Sequence, residues 1–277
     1  MRRNNDERMM GGHKPTPSEG VPPMANPMDF VAPTEWVDLP SKGRYPEGHP
    51  LCKKDSIEIK FMTAKDEDVL TNRDLLKKGL AIDRLIGNLI KDKSINSRDL
   101  YVGDRNAIML YSRVSAYGAD YKTKINCPNC GEQNKCVFDL TKHSVNSGDD
   151  LDDTTIEPVG DGTFSITLPI SKIIARIRPL VGHDEIELVR ESKGSKMENL
   201  ITKQMKRFVV SFNGYDDHKT ISYVCDNMVA TDSKYLRDCF IVTSPEVVVK
   251  DNFECKECDH EEVLIVPFGA DFFWPER

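Results

Sequence analysis

The chain has 277 residues, enough for one large domain or two small ones with a real core. Hydrophobic residues make up 39% and charged residues 30%, an ordinary globular balance, and a formal net charge of −7 gives no overall preference for a phosphate-rich partner. No run approaches the roughly eighteen apolar residues that a membrane span needs.

No apolar h-region follows the opening Met1-Arg2-Arg3-Asn4-Asn5-Asp6, so no secretory signal is expected. Eight cysteines in such a chain point to a reducing compartment, where metal binding is expected over disulfides.

Residues 1–29 are rich in Pro, Gly, Asn and charge without a hydrophobic period, and are expected as a disordered arm. Residues 30–55 open on the apolar, proline-punctuated run Phe30–Pro40 and read as an extended docking segment. Its Trp36 must lie against something, either its own domain or a neighbour.

Residues 56–120 are expected as an N-terminal helical lobe. Alternation at Ile57, Ile59 and Phe61 predicts a strand over Ser56–Met62. Thr63 is a suitable N-cap, with Asp66 and Glu67 in the first turn. Helical patterns follow over Ala64–Lys78, Leu80–Lys91 and, capped by Asp104, Arg105–Tyr117.

The period then changes. Lys122–Cys127 and Lys135–Leu140 predict short strands around a turn, a first knuckle within 121–142. Residues 143–162, with Asp149, Asp150, Asp152, Asp153, Glu157 and Asp161, read as a solvated acidic loop, because EF-hand order and its glycine are missing. Residues 163–246 are expected as a second helical lobe. A strand over Thr163–Leu168 leads to helices near Ser171–Arg178, His183–Glu191, Lys196–Phe212, Thr220–Val229 and Lys234–Val242, the last capped by Thr231-Asp232-Ser233. Residues 247–270 predict a second hairpin, and 271–277 an aromatic tail. The class is α+β, with two mainly helical lobes joined by a discontinuous four-cysteine zinc ribbon.

The ribbon rests on Cys127-Pro128-Asn129-Cys130-Gly131 and Cys255-Lys256-Glu257-Cys258-Asp259. Two thiolates three positions apart on a tight turn between strands can face one tetrahedral Zn²⁺, with bonds of about 2.3 Å. Gly131 and Asp259 tolerate the left-handed conformation that such a turn needs. The long stretch between the pairs is tolerable, since loop-closure entropy grows only logarithmically. A redox CxxC normally opens a helix, and neither pair precedes a helical pattern. Four closed ligands would make the zinc structural. Cys136 and His260 lie near the turns as possible substitutes, whereas Cys52, Cys225 and Cys239 have no partner at metal spacing. No HExxH, GxSxG, Walker loop or GxGxxG is present, and the acids beside His183 read as a helix first turn.

Several runs together resemble the baseplate hub subunit and hub assembly proteins of T4-like bacteriophages. They are Phe61–Asp68, Asp104–Ile108 through Arg113 to Tyr117-Gly118, Asp232–Asp238, both cysteine pairs and the terminal Phe272-Phe273-Trp274-Pro275. The resemblance spans Phe30 to Arg277. It implies a non-enzymatic structural or assembly protein of the phage tail, present in the host cytoplasm during assembly and in the virion baseplate if it is retained there. Its partners would be other hub or wedge proteins, with no membrane, nucleic acid or small-molecule substrate.

Phe272, Phe273 and Trp274 fit that role. Aromatics bury about 150–250 Å² each, so they either fold back on their own domain or, with Trp36, anchor a neighbouring subunit. The competing reading is a zinc-ribbon nucleic-acid-binding or transcription-related protein. Lys203, Lys206 and Arg207 favour it, while the acidic neighbours Glu132, Asp259, Glu261 and Glu262 oppose it.

Overall fold

The computed structural model describes residues 31–149, 151, 155–194 and 200–274. The expected arm, residues 1–29, lies outside the described residues. So do 150 and 152–154 of the acidic loop, 195–199 at the expected Lys196 helix start, and 275–277 of the tail.

Strand β1 (Thr34–Asp38) pairs antiparallel with β2 (Ser56–Lys60), with Val37 opposite Ile57 on the buried side. The extended segment thus packs on its own chain. Its Trp36 lies on the other side, opposite Glu58, and is 65% exposed. The helical pattern after Thr63 breaks at Asn72, whose Oδ1 accepts the Asp74 and Leu75 N–H groups. This separates α1 (Ala64–Thr71) from α2 (Arg73–Lys78), and Gly79 at φ +70 ends the latter. Helices α3 (Ala81–Leu89) and α4 (Val102–Tyr117) follow. Next come β3 (Asp120–Asn126), β4 (Gln133–Asp139) and β5 (His143–Asn146).

The second lobe is not mainly helical. Its centre is a four-stranded antiparallel sheet, in order β6-β7-β8-β9, made of β6 (Ile156–Pro158), β7 (Phe164–Thr167), β8 (Ile174–Ile177) and β9 (Val209–Phe212). The helix expected at Ser171–Arg178 is instead a turn and β8. There Ala175 and Ile177 point inward while Ile174 and Arg176 do not, a period of two between Pro169 and Pro179. The helix expected to reach Phe212 ends at Phe208, where the run Val209-Val210-Ser211-Phe212 favours strand. The acidic loop likewise holds β5 and β6. Helices α5 (Gly182–Gly194), α6 (Leu200–Phe208), α7 (His218–Asn227) and α8 (Ala230–Thr243) complete this part. Phe208 and Phe240 stack across it at 4.2 Å.

After α8 the chain returns through β10 (Glu246–Glu254) and β11 (Glu261–Ile265) to a short 3₁₀ turn over Ala270–Phe273. Val247, Val249, Val266, Phe272 and Phe273 join the first hydrophobic cluster, with Leu51, Ile59, Leu85 and Ile108. A second cluster runs from Ile156 to Cys239, between the two halves of the first. The stem of this insertion is tied by β5 pairing with β10 and by Asn146 Nδ2, which donates to the carbonyls of Ile241, Val242 and Ser244. Both cysteine hairpins therefore extend from the first cluster, and the four-cysteine group joins two of its hairpins rather than two lobes.

Aspartate is the third residue of α1, α4, α5 and α8, where the helix dipole favours a carboxylate. Asp66 accepts the Thr63 N–H at 2.9 Å, and Asp184 accepts the Val181 N–H and both Arg178 amino groups. Asp104 and Asp232 are not caps, since their helices start two residues earlier. Both are fully buried. Asp104 accepts Ser41 N–H, Ser41 Oγ and the Tyr45 hydroxyl at 2.6–2.9 Å, and Asp232 accepts the Ile170 and Ser171 N–H groups.

Candidate metal centre

The two cysteine turns are built alike. In the β3–β4 hairpin, Cys127 N–H donates to Glu132 O and Gly131 N–H to Cys127 O; in the β10–β11 hairpin, Cys255 N–H donates to His260 O and Asp259 N–H to Cys255 O. All four bonds are 2.8–3.0 Å long. Gly131 at φ +78 and Asp259 at φ +54 take the left-handed position that closes each turn.

The sulfur atoms of Cys127, Cys130, Cys255 and Cys258 all lie within 4.8 Å of one another. Cys127 and Cys258 are 3.7 Å apart, and Cys130 and Cys255 3.6 Å. A disulfide needs about 2.05 Å, so these are free thiols. Sulfurs about 2.3 Å from a tetrahedral ion stand about 3.8 Å apart, so the two cross-hairpin separations suit a tetrathiolate metal site. Cys136 and His260 are outside the group.

Cys127 and Cys255 are buried, Cys258 is half-buried and Cys130 is exposed. The site thus has a protein side, with Phe253 in its small core and Ile125 and Leu264 against it, and an open side at Cys130. The backbone N–H of Glu257, helped by Asn134 and the Cys258 N–H, holds the Cys255 thiol down to about 6 despite its burial. The Glu132 N–H favours the Cys130 thiolate. Hydrogen bonding with the other three sulfurs, Cys258 first, nevertheless pushes Cys130 up to about 12. Crowded thiols divide in this way because one keeps its proton to donate to a neighbouring thiolate; a divalent cation between them would take the place of that shared proton.

Sequence reading missed Asn134, which is 5% exposed and bonds to Cys255. Its signal was a polar residue at an inward strand position, directly opposite Ile125.

Comparison with protein-family models matches residues 34–274 to the T4 bacteriophage base plate protein family. The chain belongs to that family. Curated proteins and solved structures give no match. The matched region of this base plate protein contains both cysteine turns and all four third-position aspartates. It also contains the four aromatic residues expected to meet partners. Phe272 and Phe273 are each 1% exposed, so these two are used by their own core and offer no free docking surface. Phe272 sits 5.2 Å from the Tyr121 ring and 5.0 Å from that of Phe268. Trp274 is half-buried beside Tyr117, and Trp36 alone of the four is largely exposed. In the basic patch, Lys206 pairs with Asp226 and Arg207 with Glu191. Among the described residues no helix is long and apolar enough to cross a membrane.

Proposed function

We propose that this base plate protein is a non-enzymatic structural subunit of the hub, with a structural zinc ion on Cys127, Cys130, Cys255 and Cys258. The observation that carries the reading is the family match over residues 34–274. The four sulfurs within 4.8 Å add the metal, because an all-thiolate tetrahedral set is the donor set of structural zinc, with no position left for water or substrate. Such an ion contributes on the order of 10 kcal/mol to the folded state. Here it fastens the β3–β4 hairpin to the β10–β11 hairpin.

Trp36 is the contact we assign to a neighbouring hub or wedge protein, with Trp274 at the rim of the same role. A tryptophan this exposed is the residue type that dominates protein interfaces. The protein forms in the host cytoplasm and assembles there through these contacts. The test is localisation of tagged protein by electron microscopy in purified tails, with metal analysis of the same sample. We expect label at the hub and one zinc per chain. Absence from tails and from every assembly intermediate would overturn the structural role, and metal-free protein would overturn the zinc.

A further inference from the structure

The hydrogen bonds around the four sulfurs are unequal. The two side-chain amides that reach sulfur come from the β3–β4 hairpin, and each reaches across to a sulfur of the other hairpin. Asn134 Nδ2 donates to Cys255 Sγ at 3.4 Å, and Asn129 Nδ2 to Cys258 Sγ at 3.6 Å. Asn129 is exposed, whereas Asn134 is 5% exposed and uses its whole carboxamide. Its second N–H donates to Glu132 O at 3.2 Å, and its Oδ1 accepts the Lys256 N–H at 3.2 Å. Two acceptors on one side and a donor on the other fix which end is the nitrogen. One side chain therefore links both cysteine turns and donates to the most buried sulfur.

A tetrathiolate around a divalent ion carries two negative charges, which a buried site must offset. N–H donors at the sulfurs do this without a protein cation, and such outer contacts commonly set metal affinity. We propose that Asn134 is a positioning residue of the metal centre, holding the Cys255 sulfur as a ligand and fixing the two cysteine turns in register. This rests on the metal reading above.

The test uses the full chain and Co²⁺ as a spectroscopic probe, with Zn²⁺ in competition. In Asn134→Asp the Lys256 N–H keeps its acceptor, but the sulfur faces a carboxylate instead of an amide donor. We expect affinity to fall about 10–100-fold. The sulfur-to-cobalt charge-transfer band should move to longer wavelength, because an unbonded thiolate gives up electron density more easily. Asn129→Ala should change both less. If Asn134→Asp does not fold, Asn134→Ser must move the band in the same direction. A purely structural role would lower stability and leave band and affinity in place, and that result overturns the proposal. Wild-type protein that binds no Co²⁺ or Zn²⁺ overturns the metal reading and this inference together. Wild-type binding with unchanged Asn134 variants overturns this inference alone.

Discussion

Replacing Gly103 with alanine sets helix propensity against packing, and packing should win. Gly103 is the second residue of α4, where alanine would ordinarily add up to about 1 kcal/mol. A Cβ there would stand 2.5 Å from the Pro245 carbonyl carbon and 2.8 Å from Glu246 Cα, and closer still to the Pro245 oxygen. All three are backbone atoms and cannot rotate away. Restoring a carbon–carbon separation of roughly 3.5 Å would part α4 from the start of β10 by about 1 Å. Overpacking of this kind costs about 1–3 kcal/mol or more, and it would disturb the first cluster, to which Ile108 of α4 and Val247 of β10 both belong. Gly87 in α3 is the control, since a Cβ there meets nothing nearer than Ser97 Oγ at 3.5 Å. Thermal unfolding followed by circular dichroism should show Gly103→Ala melting about 4–8 °C lower, and Gly87→Ala unchanged or slightly higher. Gly103→Ala as stable as wild type would refute the steric argument.

Cys255→Ser should melt below wild type and, unlike wild type, lose nothing further on adding a chelator; an equal chelator effect in both would rule out the cysteine group as the metal site. Since the first cluster contains none of the four cysteines, far-UV dichroism of this variant should keep its helical signal. Asp83 and Asp104 should have opposite pH dependence. Burial raises Asp83, but hydrogen bonds from Arg98 and Ser97 and the charge of Arg105 outweigh it and hold the carboxyl below 3.8. Its contribution is therefore full above that value and lost as pH falls through the lower folded value. Burial holds Asp104 above 3.8 despite its bonds from Ser41 and Tyr45, so its contribution is full below 3.8 and lost as pH rises through the folded value. Urea unfolding between about pH 3 and 7 should show the advantage of wild type over Asp83→Asn growing with pH, and that over Asp104→Asn shrinking; parallel slopes would contradict the assignment. Trp36→Ala should change stability by less than about 0.5 kcal/mol while weakening recovery in baseplate complexes, and the reverse pattern would place Trp36 in the fold instead.

What the sequence made legible was local. Each cysteine turn carries its own instructions: two thiols, a tight turn, and Gly131 or Asp259 where the backbone must be left-handed. The Thr63 start of α1 and the Gly79 stop were readable for the same reason. The sheet in the insertion was not, because Ile173-Ile174-Ala175-Arg176-Ile177 is short enough to satisfy both helical and strand periods. Pairing with β7 and β9 decides between them. Asp104 and Asp232 looked like caps because the sequence shows only the helix they begin. Their partners lie 63 and 62 residues away, at Ser41 and Ile170, and no local pattern announces them.

These distant bonds change which device orders which part of the molecule. Were the metal the link between the two clusters, its loss would free the insertion. The insertion instead meets the first cluster through Val102 N–H to Leu180 O, Gly182 N–H to Leu100 O, and the buried Arg105. Arg105 donates to Ser97 O at 2.6 Å and lies 3.6 Å from Glu185 of α5. Gly182 leaves room for it, since a Cβ there would stand 2.5 Å from the guanidinium. None of these groups touches a cysteine. The metal centre and the insertion interface are thus separate sites, so stripping the metal should loosen the cysteine ends of the hairpins and leave the insertion held by Arg105 and by the β5–β10 pairing at its stem.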